Sequence, residues 1–470
     1  MIDLIKNKEI LVVGMARSGL AAVELISQYD AARITVSDSK KPADLKSELS
    51  QLKRYQNVDI AAGSNSPELV TENLSFIVKS PGVPPHIDIF KKASEVGIPV
   101  ISEIELAYAF IKAPIIGVTG TNGKTTTTAL ITAMLEESRF EPVISAGNIG
   151  NPLSGLAGKF SPQGIIVAEL SSFQLEDIKL FRPFVAVFLN FAEDHLDYHG
   201  SIEKYFKAKV RILENQSAGD YAVLNAGDRA VASLQEKSRG RVLWFDRSPV
   251  HVGVGLEDGW ITLYNPGSEP RKICPRYEVA LPGDHNLENA LAASTAAWAA
   301  GADPEAIGRT LGSFRGIEHR LEYVRTVNGI DFINDSKGTN PGATIKALES
   351  FPGRNKVLIA GGKDKGSDFA ELAKIIKSEV RKLILLGETK DKLAEAVDKT
   401  DFSEYLLVAD LKEAVSAAFK EAQPGDLILL SPACASWDMF NNYEERGELF
   451  KELVSYLPAE FKGKEKITNG

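Results

Sequence analysis

Residues 117–126 read GVTGTNGKTT, and this stretch decides the fold of the region around it. The apolar residues before it predict a buried strand, and the residues after it predict a helix. A strand, a glycine-rich loop and Lys-Thr opening a helix are typical of polyphosphate binding, because backbone N–H groups and the helix dipole attract the anion. Val118 occupies the first glycine position of the common pattern G-x-x-x-x-G-K-[ST]. The stretch therefore predicts a variant phosphate loop, with an ordinary glycine-rich turn as the alternative.

Three residues near this loop have the chemistry of a nucleotide and metal site. Lys124 would reach the terminal phosphates, and the Thr125 hydroxyl would bind Mg²⁺. A strand predicted at 164–168 ends at Glu169, and the carboxyl ends of parallel strands meet at one edge of a sheet. Glu169 is therefore predicted to bind Mg²⁺ beside the loop, with a surface glutamate as the alternative.

Composition restricts the class of protein. A chain of 470 residues is too long for one core, so several domains are expected. A net charge of −9 without a dense basic stretch argues against nucleic-acid binding and against a polybasic membrane surface. Cys274 and Cys434 are far apart and indicate a reducing compartment. The first residues lack a signal-peptide layout and no apolar run approaches the ~18 residues that span a bilayer, which predicts a cytoplasmic protein without membrane insertion.

Short apolar runs alternate with helical patterns along the whole chain, which predicts an α/β protein with mainly parallel sheets. We divide it into three domains at residues 1–112, 113–316 and 317–470. Buried strands are predicted at 9–14, 34–36, 76–78, 164–168, 185–189, 221–224, 356–360, 383–386 and 427–430.

Two further features of the middle segment carry titratable groups. The loop 190–199 is rich in acids and histidine, and His195 is a candidate ligand of a second metal, with zinc or a solvated helix cap as alternatives. In the helix predicted at 201–214, Lys209 falls within the apolar face. It either extends its ammonium group to solvent or is buried with a lowered pKa, and a neutral lysine can add CO₂ to form a carboxylate-like carbamate.

The start of an Ala-rich helix at 288–300 has two interpretations. Asp284 or Asn286 would cap the helix, which is the preferred interpretation from the residues alone. Alternatively, Asn286 and Asn289 lie three residues apart on one helix face and would contact a nucleotide base.

The outer segments contain loops of the same general kind. Residues 14–19 nearly match G-x-G-x-x-G, and Asp38 ends the next strand where a ribose-binding acid would lie, but Ala16 replaces the middle glycine. In the last segment, polar loops at 334–340, 361–365 and 431–436 follow predicted strands and should converge on one rim of a sheet. Lysines in two of them suit a carboxylate or phosphate ligand.

Taken together, these motifs resemble the Mur ligase family, in particular its D-glutamate-adding members. The resemblance covers nearly the whole chain, in the family's order. It rests on residues 119–126, 147–150, 169–176, 334–340 and 430–436. It implies a Rossmann-like UDP-substrate-binding domain, a central P-loop ATPase domain and a Rossmann-like C-terminal domain that binds the amino acid.

The resemblance also assigns residues. ATP would be bound by Gly120, Thr121, Asn122, Gly123, Lys124, Thr125, Thr126, Asn286, Asn289, Arg320 and Asp335. Metal would be bound by Thr125, Glu169, His195 and Lys209, the last as a carbamate; Lys124, His195 and Lys209 are the catalytic set. UDP-N-acetylmuramoyl-L-alanine would contact Arg17, Ser18, Asp38, Ser80, Gly82, Asn148, Ser171 and Gln174. D-Glutamate would contact Lys337, Thr339, Lys365, Ser436 and Tyr443.

Two departures from the family pattern concern the residues that would contact D-glutamate. Tyr443 stands where some relatives have phenylalanine, and either Lys363 or Lys365 would meet D-glutamate.

The implied reaction is ATP-dependent amide formation through an acyl phosphate, with two Mg²⁺ ions, in peptidoglycan precursor synthesis. Three alternatives stay open. The first is another ligase of the same group, which adds L-alanine, a diamino acid or a dipeptide, or a folylpolyglutamate synthetase. The others are a nicotinamide dehydrogenase built on residues 14–19 and a non-catalytic nucleotide-binding regulator.

Overall fold

The computed structural model describes residues 4–281, 283–363 and 367–458. Lys365, predicted to bind D-glutamate, lies outside the described residues. The chain divides into two compact units, Met1–Phe314 and Arg315–Gly470. Within the described ranges, no helix is both long enough and apolar enough to cross a membrane.

The first unit begins with a parallel sheet in the order β3-β2-β1-β4-β5. Its strands are β1 Glu9–Val13, β2 Arg33–Asp38, β3 Val58–Ala62, β4 Leu74–Lys79 and β5 Val100–Ser102. The helices around it are α1 Arg17–Ser27, α2 Lys46–Leu52, α3 Asp88–Glu95 and α4 Glu103–Tyr108. Apolar runs such as Ile10–Val13 are fully buried because helices cover both faces of the sheet.

The second sheet of this unit has the order β14-β13-β12-β11-β10-β9-β6-β8-β7. Its strands are β6 Ile115–Thr119, β7 Val143–Gly147, β8 Ile165–Glu169, β9 Val185–Phe188, β10 Tyr221–Asn225, β11 Arg241–Asp246, β12 Gly253–Glu257, β13 Trp260–Tyr264 and β14 Arg271–Pro275. The helices are α5 Lys124–Glu137, α6 Leu153–Leu156, α7 Ser172–Leu175, α8 Leu196–His199, α9 Ile202–Val210, α10 Arg229–Ala232, α11 Asp284–Ala299 and α12 Pro304–Ser313.

The strand that precedes the phosphate loop, β6, pairs in parallel with β8 on one side and β9 on the other. The loops that follow these three strands therefore leave the same edge of the sheet, as predicted. The antiparallel extension β12–β14 was not predicted, because its residues lack the long apolar runs of the buried strands.

The second unit is one sheet in the order β15-β16-β20-β17-β18-β19, parallel except for the β15–β16 hairpin. Its strands are β15 Glu322–Val327, β16 Ile330–Asn334, β17 Lys356–Gly361, β18 Val380–Leu386, β19 Tyr405–Leu407 and β20 Leu427–Leu430. Its helices are α13 Pro341–Glu349, α14 Ala370–Glu379, α15 Lys390–Asp398, α16 Leu411–Glu421 and α17 Tyr443–Ser455. The predicted α/β class is confirmed, whereas the domain boundaries at 112 and 316 stay predictions.

Candidate active site

The phosphate loop lies between β6 and α5. Gly123 caps α5 with φ of +83°, a conformation that favours glycine. A Cβ atom at Gly123 would also lie 2.1 Å from Asn289 Oδ1, so the Asn289 side chain lies directly against the loop. Asn190 accepts a hydrogen bond from Thr121 N–H (3.0 Å, backbone oxygen) and one from Asn122 N–H (2.8 Å, Oδ1). Sequence analysis missed this role of Asn190, which satisfies two backbone N–H groups of the loop just before α5.

Two lysine side chains converge on this loop. Lys124 Nζ donates to Gly120 O at 3.0 Å and to Thr121 O at 2.8 Å. Lys209 Nζ, from α9, donates to the same Gly120 oxygen at 2.7 Å. Two lysine amino groups thus lie beside one carbonyl of the loop, and the positive charge that they carry favours an anion there.

Of the two alternatives for Lys209, the structure shows burial; only 1% of the residue is exposed. Burial, followed by the charge of Lys124, lowers the pKa of Lys209 to about 7, against the opposing effect of Asp194 and Glu169. A substantial fraction of this side chain is therefore a neutral amine near pH 7.

Glu169 lies at the end of β8 and is 3% exposed. Its Oε1 accepts a hydrogen bond from Asn148 Nδ2 at 2.8 Å. Its Oε2 is buried without a hydrogen-bond partner among the described residues. A buried carboxylate oxygen left in this state is costly unless a cation binds it. With the buried Thr125 hydroxyl at the start of α5, this donor set fits Mg²⁺.

His195 caps α8 with φ of +52°, and its side chain is 45% exposed. Its Nδ1 lies 3.6 Å from Asp194 Oδ1, and its ring centroid lies 4.9 Å from that of Phe173. The neighbouring His199 is buried, and its Nε2 lies 2.9 Å from Ser172 Oγ. Sequence analysis did not single out His199, which shares the short acid- and His-rich stretch with His195.

The structure corrects the predicted cap of α11. Gly283 is the N-cap residue and makes no side-chain capping bond, while Asp284 is already helical and forms ion pairs with Arg247 and Arg276. Asn286 Oδ1 instead accepts a hydrogen bond from Asn289 Nδ2 at 3.3 Å. The two asparagines thus form a pair beside the phosphate loop, because Asn289 lies against Gly123.

The glycine loop after β1 is held by its own neighbours. Asp38 Oδ2 accepts a hydrogen bond from Met15 N–H at 2.8 Å, and Ser80 Oγ donates to Gly14 O at 3.0 Å. Arg17 is exposed at the first position of α1, followed by the half-buried Ser18. Because a carboxylate already occupies a loop N–H, this loop is unfavourable for a dinucleotide pyrophosphate.

Of the other residues predicted for the UDP substrate, several bond to each other or to neighbouring site residues. Ser171 and Gln174 form a capping box at α7, with Ser171 N–H donating to Gln174 Oε1 at 3.0 Å. Asn148 is bonded to Glu169, as described above, and Gly82 has open space around it. The structure therefore bonds Asp38 and Ser80 to the loop after β1, and it bonds Asn148 to Glu169, the candidate metal ligand.

Sequence analysis missed Lys79, a buried lysine at the end of β4 next to Ser80. Its Nζ lies 2.5 Å from Asp177 Oδ2 and 3.4 Å from Glu176 Oε2. Burial opposes its charge, but Asp177 and the other oxygen groups outweigh that effect and raise the pKa of Lys79. A lysine that ends an otherwise apolar strand was the available signal.

In the second unit, the loops after β16, β17 and β20 meet, as predicted. Asp335 Oδ2 accepts a hydrogen bond from Ser431 Oγ at 2.7 Å. Backbone bonds join Ala433 N to Gly338 O at 2.9 Å and Gly361 N to Pro432 O at 2.8 Å. Burial raises the pKa of Asp335 to about 6.

Of the residues predicted for D-glutamate, Lys337, Thr339 and Ser436 lie on these loops, and Tyr443 begins α17. Lys337 and Thr339 are half-buried, and Lys337 Nζ lies 5.7 Å from the ring centroid of Tyr443. Ser436 is buried. Arg320, predicted to contact the nucleotide, is exposed.

Arg446 of α17, which sequence analysis missed, connects two of these loops. It is 2% exposed and donates to Ser336 Oγ at 3.0 Å, Ser336 O at 2.8 Å and Cys434 O at 3.3 Å. Burial lowers the pKa of Arg446 to about 10. It fixes the segments that carry Lys337 and Ser436, and its position on a buried helix face was the available signal.

Comparison with family profiles assigns the three parts of the chain. The profile described as Mur ligase MurD-like, N-terminal domain, matches residues 8–102. The Mur ligase middle domain matches 118–297, and the Mur ligase, glutamate ligase domain, matches 319–434.

Similar proteins cover nearly the full chain. A UDP-N-acetylmuramoylalanine–D-glutamate ligase from Pelotomaculum thermopropionicum is 46% identical, over 96% of this chain and 98% of the relative. A protein of the same name from Clostridioides difficile is 41% identical, over 96% and 99%.

Solved structures share the fold at low identity, which supports the fold alone. A UDP-N-acetylmuramate-alanine ligase from Thermotoga maritima is 20% identical over 95% of this chain and 99% of its own, with a TM-score of 0.52. MurF from Acinetobacter baumannii is 16% identical over 95% and 93%, with a TM-score of 0.54. With profiles across all three regions and relatives above 40% identity, the chain belongs to the Mur ligase family.

Proposed function

We propose that this chain is an ATP-dependent amide ligase that joins D-glutamate to UDP-N-acetylmuramoyl-L-alanine in cytoplasmic peptidoglycan precursor synthesis. The observation that carries the proposal is the match, over 96% of the chain, to relatives that bear the corresponding name. The buried charges around the phosphate loop support a catalytic role over a merely regulatory one.

In the first step, a carboxylate oxygen of the substrate's L-alanine attacks the γ-phosphorus of ATP. An acyl phosphate forms, the bond to the β,γ-bridging oxygen breaks, and ADP leaves. Lys124 and the N–H groups at the start of α5 bind phosphate oxygens and offset the negative charge that accumulates between two anions. We assign contact with the adenine base of ATP to the asparagine pair, Asn286 and Asn289.

Mg²⁺ fits the donors Thr125 and Glu169, and we assign a second ion to His195 and Lys209. Bound Mg²⁺ would neutralise phosphate charge and orient the triphosphate. The lowered pKa of Lys209 makes carbamate formation chemically accessible, because only the neutral amine adds CO₂. A carbamate would convert an unfavourable buried cation into an anionic ligand.

In the second step, the D-glutamate amine attacks the acyl carbon, loses a proton, and phosphate leaves. The amide bond replaces the mixed anhydride bond, so the energy of ATP drives the condensation. We assign D-glutamate binding to Lys337, Thr339, Ser436, Tyr443 and Lys365. Lys337 offers a positive charge for a carboxylate of D-glutamate.

The test is phosphate release from ATP with UDP-N-acetylmuramoyl-L-alanine, with and without D-glutamate. We expect sustained release only when D-glutamate is present. Parallel reactions with L-glutamate, L-alanine, a diamino acid and a dipeptide separate this ligase from others of its family. Turnover with another amino acid, at equal or greater kcat/KM, would replace D-glutamate in the proposal.

A further inference from the structure

A cavity of 760 Å³ lies against the outer face of α9, away from the phosphate loop. Five of its lining side chains are cationic, namely Lys204, Lys207, Arg211, Lys237 and Arg239. Helical spacing places Lys204, Lys207 and Arg211 on one face of this region and the buried Lys209 on the opposite face. The cavity is therefore separate from the carbonyl that Lys209 contacts.

The two acidic residues that line this cavity already have partners. Glu176 Oε2 lies 3.4 Å from the Nζ atom of Lys79. Glu214 Oε2 lies 2.7 Å from Arg211 Nε, and Arg211 also donates to the backbone oxygens of Glu176 and Ile178. Arg211 thus has a structural role, and the two carboxylates are outnumbered by the five cations of the lining.

The remaining four cations lack such compensation. Among the described residues, no carboxylate forms an ion pair with Lys204, Lys207, Lys237 or Arg239, although many other exposed lysines and arginines of the chain do form such pairs. Four like charges around one cavity repel each other, so an anion bound among them would relieve that repulsion.

We propose that this cavity is a second anion site, which binds a small molecule with two or more phosphate groups. Each phosphate monoester carries about −1.5 to −2 at neutral pH, so two groups match four cations. The cavity volume falls within the ~300–1,000 Å³ typical of small-molecule sites, which favours a soluble ligand over a flat contact with a lipid surface. The site uses no residue of the proposed reaction.

The test is calorimetric titration of the full chain with inorganic pyrophosphate, with the nucleotide site saturated by Mg²⁺ and ADP. We expect wild-type binding, and an affinity at least tenfold lower in the Lys204→Gln/Lys237→Gln variant. The matched control is Lys53→Gln/Lys412→Gln, which neutralises two exposed lysines elsewhere and should bind as wild type does.

Three outcomes would overturn the proposal. These are equal affinities in the two double variants, no wild-type binding below about 1 mM, and flotation with phosphatidylglycerol vesicles without pyrophosphate binding. Unchanged thermal unfolding and unchanged phosphate release without pyrophosphate would show that the Lys204→Gln/Lys237→Gln variant is folded. Because phosphate release is measured separately, failure of this site and failure of the proposed reaction are distinguishable.

Discussion

The loops 14–16 and 120–123 have corresponding places in their sheets but different surroundings. Each follows a buried parallel strand, each contains a glycine with positive φ, and each is followed by a helix whose first residue is a cation, Arg17 or Lys124. Around the first loop, a carboxylate and a hydroxyl are bonded to the loop backbone. Around the second, the amino groups of Lys124 and Lys209 and the buried carboxylate of Glu169 lie close to the loop.

The difference shows that a glycine loop by itself specifies only a backbone shape. The chemistry depends on charges supplied by distant segments, β8 and α9 in the central loop and β2 in the first. The Asp38 carboxylate binds the first loop, whereas one oxygen of Glu169 has no hydrogen-bond partner in the part of the chain that the structure describes. The protein's own groups satisfy the first arrangement, whereas the second offers a buried carboxylate oxygen that suits a cation.

The largest expected effect separates the two cations at the helix starts. Lys124→Ala should lower kcat for phosphate release by about 1,000-fold, because it removes charge stabilisation at the transferred phosphate. Arg17→Ala is the matched control and should leave the KM for ATP unchanged while raising the KM for the UDP substrate. Equal losses of kcat in the Lys124→Ala and Arg17→Ala variants would contradict the distinction between the two loops.

The next effect concerns the buried charge of Lys209. Its pKa is about 7 in the folded chain and about 10.4 when unfolded, so between these values the unfolded chain binds more protons. Wild-type stability should therefore rise with pH across this window, by on the order of 3 kcal/mol. Lys209→Met should be more stable than wild type at pH 6, with the advantage shrinking toward pH 10.

Chemical denaturation at pH 6, 8 and 9.5 measures this difference. A constant gap between the two proteins at all three values would mean that Lys209 is not a desolvated cation. Lys207→Met, on the exposed face of the same helix, controls for the change of residue type.

A smaller effect distinguishes the two carboxylates. Glu169→Gln should reduce the extra thermal stabilisation that Mg²⁺ adds to ADP, since about tenfold weaker binding corresponds to about 1.4 kcal/mol. Asp38→Asn should retain the full Mg²⁺ increment. Thermal unfolding with ADP alone and with ADP plus Mg²⁺ gives both values, and an undiminished increment in Glu169→Gln would contradict its assignment to the metal.

The smallest effect is on the stability of the first loop. Asp38 accepts hydrogen bonds from Met15 N–H and Lys40 N–H, and asparagine offers only one acceptor oxygen. Asp38→Asn should therefore lower the free energy of unfolding by about 1 kcal/mol, measured by urea denaturation. A loss of about 3 kcal/mol or more, the size caused by proline in a helix interior, would indicate a greater structural role than these two bonds imply.

Much of the site was predictable because local patterns encode it. The apolar strands and the glycines predicted the loops and the sheet edge where they meet. Helical periodicity placed Lys209 on the apolar face of its helix, but it left open whether the amino group is buried or reaches solvent. The cap of α11 was predicted wrongly, because Asp284 has the right residue type for a cap but forms ion pairs with Arg247 and Arg276. Arg446, Lys79 and Asn190 were missed because their partners are far away in sequence.

By itself, the sequence determined the α/β class, the phosphate loop and membership of the Mur ligase family, since each of these depends on short contiguous motifs and their order. Only the tertiary structure decided which groups share a buried environment. It brought Lys209 to the Gly120 carbonyl and gathered five cations around the cavity beside α9. Within the described ranges, it also left one Glu169 oxygen without a hydrogen-bond partner. Desolvation and Coulomb interactions depend on distances in space, which the order of residues along the chain does not specify.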